Sequence, residues 1–196
     1  CKIMKFPSIK SVINFLAEND TYFDSSAIMN KGFEELMKNC ARQLKENGTK
    51  IFIPTEAGNQ LLKLTESDNP QTAATARLRI EELSVFASQP IIKYVGNPKQ
   101  QFLEPQQIIK LVLKYRNNRN LAVITCKPDL VHDILMQNTL QSYKGNHIHV
   151  FNISKSGHLY DYEENTSQYT QKKETVTSVS KVDSQTERIL NMFGLA

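Results

Sequence analysis

The chain has 196 residues, of which 40% are hydrophobic and 22% charged, with a formal net charge of +4. This size and balance are typical of one globular domain with an appendage. The charge is spread over both halves, which excludes a basic arm. Three scattered cysteines exclude a disulfide framework or a cysteine zinc site. No apolar run approaches the ~20 residues that span a bilayer, so we expect no membrane partner. Cys40 and Cys126 fall in apolar patterns typical of buried thiols in a reducing compartment, and with no signal peptide in the sequence we expect a cytoplasmic protein.

Apolar spacing predicts helices alternating with short, buried strands. This alternation favours an α/β fold with a parallel sheet covered on both faces. In chain order, the pattern predicts a helix at 8–18, a strand ending at residue 24, a helix at 25–47, a strand at 50–53, helices opening at 54 and 69, a strand at 91–95, a helix at 104–117, a strand at 121–125, a helix from 128 and a strand at 147–153.

Asp24 stands at the end of the first predicted strand, directly before a helix. Ligand sites in open α/β sheets lie at the carboxyl ends of strands, so its carboxylate could bind a cation or activate water there. Asp is also a favoured residue at the start of a helix, and Asp24 could act only as a helix cap. Spacing alone leaves both interpretations open.

The order of these pieces resembles the PIN domain, a compact metal-dependent nuclease fold, over roughly residues 20–153. The most specific matches are Phe23-Asp24-Ser25-Ser26-Ala27, the helix entry at Ile53-Pro54, and Val123-Ile124-Thr125 followed by Pro128-Asp129-Leu130. The resemblance implies a three-layer sandwich around a mostly parallel sheet of about five strands. It also implies carboxylates at the sheet edge that hold Mg²⁺ or Mn²⁺, ions that prefer oxygen ligands, and cleave RNA.

Carried onto this chain, the family's acidic set is matched unevenly. Asp24 fits the first acid, whereas Gln60 and Lys127 stand where the second and fourth are usual. A displaced site would use catalytic Asp24, Glu56, Glu104 and Asp129, with Asp24, Glu56 and Asp129 as metal ligands and Ser25, Ser26, Gln60 and Thr125 lining it. Replacing acids by Gln and Lys removes the negative charge that holds a divalent cation, and Lys127 would repel it.

A local run of basic residues offers a separate candidate for RNA contact. Lys110, Lys114, Arg116 and Arg119 lie within ten positions that contain no acid, and Lys127 follows the next strand. Such a run is usually an ordinary solvated helix face. If the side chains contact phosphates, binding would depend on salt and little on sequence.

The sequence is compatible with two functions from different classes. One is a PIN-like, divalent-metal-dependent ribonuclease that cleaves RNA phosphodiester bonds. The other is a catalytically degenerate PIN-like domain that acts as an RNA- or protein-binding module. Gln60 and Lys127 favour the second function, and the position of Asp24 favours the first.

The composition changes toward the end of the chain. We expect a PIN-like domain at residues 1–158, a polar linker at 159–183 and a short helix at 184–196, where Ser184 and Glu187 match a capping box. This helix carries Ile189, Leu190, Met192 and Phe193 and could mediate a homodimer. It could also contact another domain of a longer protein.

Overall fold

Six strands form one sheet in the computed structural model, which describes residues 6–97, 102–139 and 145–162. The strands lie in the order β3-β2-β1-β4-β5-β6, and all neighbours are parallel except the final pair. The strands are β1 (Asp20–Phe23), β2 (Ile51–Pro54), β3 (Ile92–Val95), β4 (Leu121–Ile124), β5 (Ile148–Ile153) and β6 (Leu159–Asp161).

Helices cover both faces of this sheet, because alternate strand residues face opposite sides and both sets are apolar. Along β4, Ala122 and Ile124 belong to one buried cluster, and Leu121 and Val123 to the other. The first cluster packs under α1 (Ile9–Glu18), α2 (Ser25–Met29), α3 (Lys31–Glu46), α4 (Thr55–Leu64) and α5 (Pro70–Ser88), and the second under α6 (Glu104–Tyr115) and α7 (Pro128–Thr139). The predicted α/β three-layer sandwich is therefore confirmed.

Asn30 divides the single helix predicted at 25–47 into α2 and α3. Its backbone is extended (φ −68°, ψ 137°), and its side-chain oxygen accepts a hydrogen bond from Gly32 N at 2.8 Å. Its Nδ2 donates to the carbonyl oxygen of Ile153 at 3.2 Å. The prediction of one helix was wrong. The break at Asn30 is stabilised by this long-range hydrogen bond, which the spacing of apolar residues cannot reveal.

The sheet continues past the domain boundary expected at residue 158. Strand β6 pairs antiparallel with β5 through a tight turn in which Gly157 has a positive φ of 81°. The first residues assigned to the polar linker therefore belong to the sheet. Leu159 is buried there, and its side chain joins the first apolar cluster.

The remaining predictions for the C-terminal region fall outside the described residues. These are the linker from residue 163, the helix at 184–196 and the homodimer through it. Within the described residues, no helix is both long enough and apolar enough to cross a membrane.

Candidate functional site

A cluster of polar side chains lies at the carboxyl ends of the two central strands. Strands β1 and β4 are neighbours, with Phe23 opposite Ile124, so Asp24 and Thr125 emerge side by side. Thr125 Oγ1 donates a hydrogen bond to Asp24 Oδ2 at 2.7 Å. Both residues are fully buried. The parallel register therefore joins two residues that are 101 positions apart in the chain.

Asp24 caps helix α2. Its Oδ1 accepts a hydrogen bond from Ala27 N at 2.8 Å, and Ser26 Oγ contacts both carboxylate oxygens at 2.7 and 2.9 Å. Burial raises the pKa of Asp24 above its ordinary value, and the nearby Glu104 carboxylate raises it further, while these hydrogen bonds act in the opposite direction. Asp24 therefore acts as the helix cap that the sequence left open as an alternative, and both of its carboxylate oxygens are engaged in hydrogen bonds.

Glu104, the first residue of α6, brings a second carboxylate to the same place. Its Oε1 accepts a hydrogen bond from Ser25 N at 2.5 Å, and its Oε2 accepts one from Ser25 Oγ at 2.7 Å. The Glu104 side chain is only 5% exposed. It therefore joins the start of α6 to the start of α2, where backbone N–H groups need acceptors.

Lys127 supplies the positive charge for both carboxylates. Its Nζ lies 2.6 Å from Glu104 Oε2 and 3.8 Å from Asp24 Oδ2. Its backbone N donates to Thr125 Oγ1 at 3.0 Å, which holds the chain turned toward the cluster. The sequence predicted that Lys127 would oppose a metal. In the structure, the Lys127 ammonium group itself lies beside the two carboxylates, where the resemblance implied a metal ion.

The Mg²⁺ or Mn²⁺ site implied by the PIN resemblance does not fit this donor set. All four carboxylate oxygens of Asp24 and Glu104 accept hydrogen bonds from protein groups. A divalent ion would have to displace these donors and lie beside the Lys127 ammonium, which would repel it. Across the described ranges, no group of three or more His, Cys, Asp and Glu side chains is arranged to hold a metal.

The other predicted acids do not complete the cluster. Glu56 is half-buried in the first turn of α4, and its Oε2 accepts a hydrogen bond from Asn59 Nδ2 at 3.3 Å. Asp129 is exposed in the first turn of α7, and Gln60 is half-buried on α4. The fold brings together Asp24, Ser25, Ser26, Glu104, Thr125 and Lys127, and leaves Glu56 and Asp129 outside this hydrogen-bonded group.

Sequence reasoning missed the role of Gln107. Its Oε1 accepts a hydrogen bond from Glu56 N at 2.9 Å, and its Nε2 donates to Thr55 Oγ1 at 2.9 Å. Gln107 is 3% exposed. It therefore gives one backbone N–H at the start of α4 an acceptor, where Pro54 offers no side-chain cap. The sequence showed only a polar residue on an apolar helix face.

The basic run divides into two groups with different surroundings. Ile108, Val112 and Arg116 follow at intervals of four and are all buried, so Arg116 faces inward at the end of α6. Its Nη1 donates to the carbonyl oxygen of Gln137 at 3.0 Å. This placement does not favour phosphate contact by Arg116. Lys110, Lys114 and Arg119 are exposed, although Arg119 forms an ion pair with Asp20 at 2.5 Å.

Neither of two comparisons identifies this chain. No protein-family model matches it, and no curated protein matches it significantly.

Proposed function

We propose that this chain is a PIN-like domain that binds RNA without cleaving it. The observation that supports the absence of cleavage most directly is the contact between Lys127 Nζ and Glu104 Oε2 at 2.6 Å, with Asp24 Oδ2 at 3.8 Å. A lysine ammonium balances the acids and cannot polarise water as a divalent ion does. The acidic pair then serves to tie α2, α6 and the end of β4 together.

The exposed face of α6 supports RNA as the partner. Lys110 and Lys114 are four residues apart and therefore neighbours on one helix face. No acid lies between residues 105 and 119 to neutralise them. The first residue of α6, Glu104, belongs to the polar cluster, so the helix that carries both lysines begins at the carboxyl edge of the sheet.

Binding to a labelled single-stranded RNA, measured in EDTA and separately in Mg²⁺ and Mn²⁺, tests the proposal. We expect the affinity to be unaffected by EDTA, to fall steeply with salt, and the RNA to stay intact in all three buffers. Lys114→Gln should weaken binding and reduce the salt slope by ~0.7, the value for one lost phosphate contact on a single strand. Lys45→Gln is the matched control, because Lys45 is exposed on α3, across the sheet.

Two results would overturn the proposal. Cleavage that requires Mg²⁺ or Mn²⁺ and disappears in Asp24→Asn would establish the metal-dependent ribonuclease instead. If the domain has no affinity for RNA at low salt, RNA is not its partner, and a protein-binding module becomes the better description.

A further inference from the structure

A groove runs beside the exposed face of α6. It has a cavity volume of about 390 Å³, and its wall includes Phe102, Gln107, Lys110, Leu111, Lys114 and Tyr115. Its lining combines apolar or aromatic side chains with two lysines. Gln107 also holds the start of α4, through its hydrogen bonds to Thr55 Oγ1 and Glu56 N.

The groove pairs each ammonium group with an aromatic ring. Lys110 Nζ lies 3.7 Å from the centroid of the Phe102 ring, and Lys114 Nζ lies 5.2 Å from that of Tyr115. Within the described residues, neither lysine forms an ion pair with a carboxylate. A contact between an exposed ammonium and a ring is weak, so both lysines can turn toward an anion.

A nucleotide in a single strand has one part that suits the lysines of the groove and another that suits its aromatic rings. Its phosphate suits the lysine ammonium groups, and its base has an apolar face that stacks on an aromatic side chain. A duplex offers the phosphates but keeps its bases stacked inside, and an acidic peptide offers only the charge. The combination of rings and lysines therefore favours an unpaired strand over both.

We propose that this groove is a binding site for single-stranded RNA, in which Lys110 and Lys114 contact phosphates and Phe102 and Tyr115 stack on bases. The inference rests on the proposed RNA-binding function and names its site and the form of RNA it takes. It predicts two separable contributions: a charge contribution that depends on salt and a stacking contribution that does not.

The test compares variants for binding to a single-stranded RNA of about 8 nucleotides and to a duplex of the same sequence. We expect Phe102→Leu to weaken single-strand binding about ten-fold without changing the salt slope, and to leave duplex binding unchanged. Lys110→Gln should weaken binding and lower the slope by ~0.7. Tyr160→Leu is the aromatic control, because Tyr160 is 52% exposed on the distant edge strand β6.

Each alternative gives a distinct result. If RNA binds and neither Phe102→Leu nor Lys110→Gln weakens it, this site is rejected while the RNA-binding function stands. If RNA does not bind, the proposed function itself fails. Equal competition by poly-glutamate would reject base stacking, and equal competition by a mononucleotide would reject a site built for a strand. Thermal unfolding of each variant verifies the fold, and Lys114→Gln tests the site independently of Phe102.

Discussion

Lys127 Nζ lies 2.6 Å from Glu104 Oε2, although Glu104 begins α6, before β4, and Lys127 lies after β4, directly before α7. Glu104 is almost entirely buried, whereas the Lys127 side chain is 37% exposed. The Glu104 carboxylate is therefore largely desolvated, whereas the Lys127 ammonium group remains partly hydrated. Removing the lysine would leave Glu104 and Asp24 buried close together without a neutralising charge, which is costly.

Lys127→Met should destabilise the domain. We expect a loss of about 1–3 kcal/mol in the free energy of unfolding, below the value for fully buried pairs because Lys127 is partly exposed. Chemical denaturation measures this loss.

Adding Glu104→Gln to Lys127→Met should restore part of that loss, because the uncompensated carboxylate is then neutral. The two single variants and the double variant form a cycle that isolates the pair. Strictly additive effects would show that the contact between Lys127 and Glu104 contributes no coupling energy.

Asp24→Asn should alter how stability depends on pH. The pKa of Asp24 is raised in the folded state, so folding favours the protonated carboxyl. The wild type therefore loses stability as pH rises from the unfolded value of about 3.9 through the folded pKa.

The Asn variant lacks this loss, so its melting temperature relative to the wild type should be higher at pH 8 than at pH 4, which lies near the unfolded pKa. Scanning calorimetry at both values measures the difference. A relative melting temperature that instead falls as pH rises would mean that the charged form of Asp24 stabilises the fold.

Lys127→Asp should make the cluster receptive to a divalent cation. The substitution replaces the competing ammonium with a third carboxylate beside Asp24 and Glu104. We expect Mn²⁺ to raise the melting temperature of this variant by about 2–4 °C for each kcal/mol of binding free energy. The wild type should show no such rise, and an equal rise in both proteins would contradict the assignment of Lys127 as the resident cation.

Gly32→Ala should destabilise the domain by about 1–3 kcal/mol, the usual cost of overpacking. A Cβ at Gly32 would overlap the carbonyl oxygen of Ser154 and lie 3.0 Å from Ile153 Cγ1. Gly58→Ala is the matched control, because its nearest contact would be Tyr94 Cε1 at 3.7 Å. In the interior of α4 it should stabilise by about 0.5–1 kcal/mol. Equal effects of the two substitutions on urea denaturation would argue against a close approach at Gly32.

The sequence by itself determined the α/β class and the location of the candidate site. Short apolar runs such as 121–124 are buried on both faces, and this pattern is local enough to read from the chain. It also placed Asp24 at the end of a strand. The sequence did not predict the helix break at Asn30 or the antiparallel strand β6. Both depend on distant partners: Asn30 bonds to Ile153, and β6 pairs with β5.

Only the tertiary structure decided what the site residues do. Lys127 and Glu104 are 23 positions apart, and their meeting depends on how α6 and the end of β4 pack against the start of α2. The PIN resemblance implies an acid at the position of Lys127, but nothing in the sequence shows this lysine to be the partner of Glu104. In the same way, Arg116 became an inward residue and Phe102 and Tyr115 became walls of a groove. Local patterns encode which segments are buried, whereas charge pairing and grooves are set by distances that exist only after folding.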